Sequence, residues 1–243
     1  MKPLSAVAVV AVLFGGLGSF CIMWVVRLLQ QGRYASMVVA VGFAVFAFSV
    51  LAMRVIVAAG KVAPRVEYGG GGTLLRPDPT VDRISLIGLL AALATLLLYG
   101  VVASFGIAGL PGLAGDQRWL GLASIAAAIL GLPSLRRVAG QRGMSYLRLT
   151  AAGYEYSDAW SRTETEWDEL SDISDRPTHK PWLLIAGSTY LTTSDGRSRT
   201  LASDWYTPGG RAVRKLVRFY WRHPECRGEL TDARAARRLA DPW

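Results

Sequence analysis

Two cysteines and two histidines in 243 residues are a thin supply for redox or metal chemistry. Cys21 falls toward the outer end of an apolar run and Cys226 in the polar C-terminal half. A membrane between them excludes an intrachain disulfide on geometric grounds, and two such cysteines make neither a zinc nor a dithiol site. His179 and His223 stand alone, without metal-ligand spacing, and read as loop or surface residues. No nucleophile–base set, metal cluster or cofactor loop is recognisable, so neither enzymatic activity nor a bound metal or cofactor is expected. The glycine run at residues 69–73 (GGGGT) invites a phosphate-loop reading, but no Gly-Lys-Ser/Thr follows and no strand is evident before it. It reads instead as part of a flexible linker.

Charge is the other scarcity, and it is uneven. Of 45 charged side chains, 13 lie in residues 1–135 and 32 in the remaining 108. The poor half carries four apolar segments, at residues 4–26, 36–53, 84–110 and 119–135. About 20 residues at 1.5 Å rise cross a hydrocarbon core of about 30 Å, so each is long enough to span or nearly so. The first is longer than a secretory apolar run and no small-residue cleavage site follows it before Trp24, so it reads as an uncleaved anchor. No charged residue lies in the middle third of any span, which argues against an autonomous pump, ion channel or proton-coupled carrier.

Lys and Arg residues flanking the spans divide ten to three. The richer side holds Lys2, the loop at residues 54–83 and the run after the fourth span, which places both termini in the cytoplasm of a multi-pass inner (plasma) membrane protein. Residues 1–137 thus read as a transmembrane region of two helical hairpins. Small residues recur at packing distance in Gly15 with Ser19, Gly88 with Ala92, Ser104 with Ala108, and Ala127 with Gly131. Such positions allow close helix contact, either within the four-helix set or with another membrane subunit.

Past Arg142 the hydrophobic period becomes two. Leu147 and Leu149 share a face, then comes a turn at residues 150–153, then Tyr154, Tyr156 and Trp160 on one parity. Thr163, Thr165 and Trp167 alternate with Arg162, Glu164, Glu166 and Asp168, the pattern of half-buried antiparallel strands. The carboxylates therefore line a wet face and are not paired for acid–base work. A buried-type strand is expected at residues 182–186. Two more, at 189–193 and 198–202, flank the hairpin signal Asp195-Gly196. After residues 208–210 the period turns helical: Val213, Leu216, Val217 and Tyr220 form one side, and Arg211, Arg214, Lys215, Arg218 and Arg222 the other. Pro224 ends that helix, and a second weak helical stretch at residues 231–239 follows.

Six or so strands closed by one amphipathic helix is the plan of an α+β, PH-like barrel. Residues 143–225 resemble the bacterial PH-like domains appended to membrane spans, through Leu147-Arg-Leu-Thr150 leading into Gly153-Tyr154, then Trp167-Asp-Glu-Leu170 and Ile173. Residues 226–243 read as a basic tail. The first hairpin turn lacks the Lys/Arg cluster of phosphoinositide-reading members, with only Arg148 nearby, which puts phosphoinositide binding in doubt. Residues 149–210 carry a net −5 and residues 211–238 a net +6. The basic face of Arg211, Arg214, Lys215, Arg218 and Arg222 is accordingly the candidate contact surface, for anionic lipid headgroups or an acidic partner. Nucleic acid is not expected, because the aromatics in that run read as packing inward.

The bias toward Ala, Val, Gly, Leu and Arg resembles an actinobacterial proteome. The architecture is similar to mycobacterial membrane proteins of the LucA and LucB type, which stabilise Mce lipid-import transporters. That resemblance implies a non-enzymatic accessory subunit with other integral membrane proteins, such as a lipid transporter, as partners. The alternative is a stand-alone membrane-anchored lipid- or signal-sensing module in envelope processes.

Overall fold

The computed structural model of the chain describes residues 3–105, 117–175 and 187–241. The strand expected at 182–186, His179 and the last residues of the third apolar segment lie outside this set. The chain divides into two compact units. One is helical and contains Ala8–Arg54 and Arg83–Ala139; the other is assembled chiefly from Val55–Asp82 and Gly140–Trp243.

Among the described residues, four helices are long and apolar enough to cross a membrane: Val7–Gln30, Tyr34–Ala58, Pro79–Ser104 and Arg118–Gln141. The first combines α1 (Pro3–Val10), a π turn (Ala11–Gly15) and α2 (Gly16–Gln30); the others are α3 (Tyr34–Ala58), α4 (Pro79–Ser104) and α5 (Gln117–Gln141). These helices overrun the apolar segments, α3 to Ala58 and α5 to Gln141. Helix α4 starts at Pro79, five residues ahead of the expected segment at 84. The apolar run measures the hydrocarbon, whereas the helix ends where a cap or breaker stops it. Asp78 followed by Pro79 is such a start: the Asp78 carboxylate accepts from the Thr80 and Val81 amides at 2.8 and 3.3 Å, and Pro79 fills the first helical position.

Inside the helical unit, Val39, Tyr99, Val102 and Ala103 form a small buried cluster backed by Phe43 and Leu98. Close approach depends on missing side chains. A Cβ on Gly42 would collide with Thr95, and one on Gly100 would lie 2.8 Å from the Gly121 carbonyl. Of the small residues expected to pack, Gly15 faces Leu51, Gly88 faces Ser49 and Gly131 faces Leu93, all within this unit. Ser19 and Ala127 are exposed, and Ala108 is outside the described residues. Intramolecular packing therefore accounts for the three glycines. The outer surface is apolar, as at Val12, Leu13 and Leu130, which are 74%, 61% and 78% exposed.

The linker reading of residues 54–83 does not hold. Strands β1 (Arg65–Gly69) and β2 (Gly72–Arg76) form a hairpin there, and β2 pairs with β3 (Tyr146–Leu149), from beyond the fourth span. The glycine run is the hairpin's tip. Gly72 has φ +99, and a Cβ would strike the Leu149 carbonyl, so only glycine fits between these strands. The sheet continues through β4 (Gly153–Ser157) to β5 (Arg162–Glu166), in the order β1-β2-β3-β4-β5. A 3-10 turn at Trp167–Glu169 leads to a second antiparallel sheet, β6 (Leu170–Ser174), β7 (Thr189–Thr193) and β8 (Ser198–Leu201). Gly196, at φ +79, turns the β7–β8 hairpin as expected. Because one sheet joins strands from before α4 and after α5, those two segments lie on the same side of any bilayer the spans cross.

Both sheets and α6 (Arg211–Arg222) share one core, which includes Leu75, Leu147, Leu149, Tyr154, Trp167, Ile173, Leu191, Leu201, Val213, Leu216, Val217 and Tyr220. The expected inner face is correct except for Trp160. That residue is 67% exposed, because β4 ends at Ser157 and the chain turns over residues 158–161 before parity can carry it inward. The expected basic tail is also part of the fold. A 3-10 stretch (Pro224–Thr231) and α7 (Arg234–Ala240) bring Leu230, Ala235 and Leu239 into the same core. Only three apolar side chains are needed for that, too few for a periodic signal to stand out.

Candidate functional site

Four groups of polar side chains come together in the second unit. The first ties its three root segments. Asp78 Oδ2 accepts from the Ala63 amide at 3.1 Å, so the segment after α3 is fixed to the segment before α4. Arg65 pairs with Asp82 at 2.9 Å, and Asp82 Oδ1 accepts from the Met144 amide at 2.6 Å. Arg76 donates to the Gln141 carbonyl at 2.6 Å, and Ser157 donates to Gln141 Oε1 at 2.7 Å. Hydrogen bonds to charged groups contribute roughly 1.5–3 kcal/mol each where shielded from water, so the knot holds these segments at fixed spacing. Burial by itself pushes the Asp78 carboxyl up; amide bonds from Ala63, Thr80 and Val81 outweigh it and hold the group below its ordinary 3.8. A carboxylate depressed in the folded state stabilises above its ordinary pKa, and that contribution is lost as pH falls through the folded value. Thermal unfolding below about pH 4 should therefore depend less steeply on pH in Asp78→Asn than in the wild type. Equal slopes would remove Asp78 from the acid response.

The second group lies on the outer face of the larger sheet. Glu155, buried, sits between Arg148 at 3.4 Å and Arg162 at 2.8 Å, and accepts from the Tyr146 hydroxyl. Burial and then Glu155 push the Tyr146 phenol up, which keeps it a protonated donor. Glu155 escapes the parity argument because cross-strand neighbours cover it: β3 sets Arg148 opposite it, while β5 supplies Arg162. Its neighbours Glu164, Glu166 and Asp168 are exposed, on the wet face as expected.

The third group anchors the C-terminus. Arg238 grips Glu229 with two bonds of 2.5 and 2.7 Å, and Tyr220 donates to the same carboxylate at 3.3 Å. Arg238 also lies 4.2 Å above the Phe219 ring. The Arg238 bonds hold Glu229 below the ordinary carboxylate range.

The fourth group is the basic face of α6, and the structure divides it. Arg214 pairs with Asp175 at 3.1 Å and donates to Thr189 Oγ1, which shares a 2.7 Å bond with Ser203. Arg218 donates to the Ile173 carbonyl. These two cations hold the smaller sheet onto the helix. Arg211, Lys215 and Arg222 are exposed. Among the described residues no group of three or more His, Cys, Asp or Glu side chains could hold a metal ion. His223 is exposed and bonds Glu225 at 3.0 Å.

Asp78, Asp82 and Glu155 are the residues that periodicity passes over. The Asp78-Pro79 start carried a capping signal; the partners of Asp82 and Glu155 come from segments far apart in sequence or from neighbouring strands, which periodicity cannot identify. The chain matches no protein-family model, no curated protein and no solved structure.

Proposed function

We propose that this chain is a non-enzymatic integral-membrane accessory subunit that stabilises a larger membrane complex through contact. A lipid-import transporter of the Mce type is the partner the architecture suggests. The observation that carries this reading is the root knot. Asp78, Asp82, Arg65 and Arg76 bind one another's segments and backbone, so the three segments that root the folded unit are tied together. A tether of that kind serves docking, where a preorganised surface lowers the ordering cost of association. The two antiparallel sheets with α6 against their common core fit a PH-like barrel extended by the β1–β2 hairpin, a fold class used for binding. The ten-to-three Lys/Arg division supports a cytoplasmic place for the second unit and both termini, and the proposed partner implies the plasma membrane.

Deletion of the gene should lower the abundance of a partner complex. A variant with Glu155→Gln, Asp168→Asn and His223→Ala should still restore it, because nothing in this reading turns over substrate. Failure of that variant to rescue, with its fold intact, would point to catalysis. Reversing Arg211, Lys215 and Arg222 to Glu should release the partner if α6 is the contact. Retention would move the contact to the spans. A stand-alone lipid- or signal-sensing module is the second reading; the exposed cations of α6 favour it, since each adds about 1 kcal/mol near an anionic surface.

A further inference from the structure

One end of the larger sheet is where the chain passes to and from the apolar helices. Strand β1 begins at Arg65, seven residues after α3; β2 ends at Arg76, three residues before α4 begins; β3 begins at Tyr146, five residues after α5. The register confirms that these are one end, because Arg65 lies opposite Arg76, Leu75 opposite Leu147, and Tyr146 opposite Ser157. Ser157 in turn lies opposite Arg162, so the β4–β5 turn is at this end too, whereas the β1–β2 tip is at the other. That turn holds Trp160 outward. Asp158 Oδ1 accepts from the Trp160 and Ser161 amides, both at 2.7 Å, and the Asp158 amide donates to the Ser161 carbonyl at 2.9 Å. The indole is 67% exposed on a stiff support. Lys61, Arg65, Arg142 and Arg162 are exposed around the same end of the sheet.

We infer that Trp160 lies in the headgroup layer of the bilayer, as an anchor that fixes this end of the sheet to the membrane surface, with Arg142 and Arg162 toward lipid phosphates. Covalent continuity supplies the occupant: the chain enters its apolar helices within a few residues of this end, so the nearest extended surface is lipid. Chemistry agrees. An indole has an apolar body and one N–H donor and concentrates at membrane–water boundaries, and exposed arginines match phosphate by charge and geometry. The inference rests on the apolar helices being spans, and not on any protein partner.

The test uses the full chain labelled with 5-fluorotryptophan in nanodiscs containing phosphatidylglycerol. The Trp160 fluorine line is identified by its loss in Trp160→Phe. Tyr68→Trp supplies a probe at the far end of the sheet, where Tyr68 is 56% exposed, and Val12→Trp one on the first span. A lipid with a nitroxide on its headgroup should broaden the Trp160 line several-fold more than the Tyr68→Trp line, which a water-soluble paramagnet should broaden instead. If the Trp160 line responds as the Tyr68→Trp line does, the anchor is wrong. If chain-centre nitroxide fails to broaden the Val12→Trp line, the spans are wrong and the anchor falls with them. A normal Val12→Trp response beside an unresponsive Trp160 separates the two failures.

Discussion

Replacing Trp167 by Ala should destabilise the second unit by about 3–5 kcal/mol, the range for emptying a fully buried aromatic site. Trp167 is 1% exposed, lies 6.1 Å from the Tyr154 ring, and carries Arg227 5.3 Å above its own. Its indole N–H donates to the Thr150 carbonyl at 2.9 Å, which closes the β3–β4 turn against the 3-10 turn after β5. The mutation therefore leaves a large cavity and an unsatisfied carbonyl together. Glu164→Lys and Glu166→Lys, three and one residues before it in the chain on the exposed parity, should each stay within about 0.5 kcal/mol. Denaturant unfolding followed by near-ultraviolet circular dichroism would separate these outcomes. Equal sensitivity of the glutamates would place them in the interior.

The second large effect concerns the C-terminus. A chain ending at Arg227 should fail to keep a folded second unit, although it retains every strand and all of α6. Truncation removes Leu230, which is fully buried, with Ala235 and Leu239. It also removes the Leu230 carbonyl that accepts from Thr73 at 2.6 Å, and the Glu229 carboxylate that receives Tyr220. Loss of one buried leucine alone costs about 2–5 kcal/mol, comparable with much of a typical domain's stability of 5–15 kcal/mol. Limited proteolysis of membranes carrying each form reads the result directly: rapid cleavage within β1–β8 is expected for the truncated chain. Protection equal to the full chain would return these residues to the status of a tail.

Much of this architecture is written in local periodicity. The apolar spans, the Thr163–Trp167 alternation and the Val213–Tyr220 stripe each declare a face without reference to distant residues. What escaped local reading is long-range. Gly69 to Gly72 looks like flexible chain until Leu149 supplies the strand that β2 pairs with on its far side. Glu155 looks like a wet-face acid until Arg148 and Arg162 close over it. Arg214 and Arg218 share a helical side with Arg211, Lys215 and Arg222, and helical spacing alone cannot tell which cations meet Asp175 or the Ile173 carbonyl. Trp160 failed for a local reason: Asp158 starts a turn, and alternation stops where the strand does.

The role proposed for this chain is contact within a membrane complex. The most direct measurement is native purification from its own membranes in a mild detergent, with the mass and composition of the particle determined. A second integral membrane protein in fixed stoichiometry, retained through size exclusion, is the predicted result. A particle containing this chain alone, at every detergent mild enough to preserve its fold, would contradict the account.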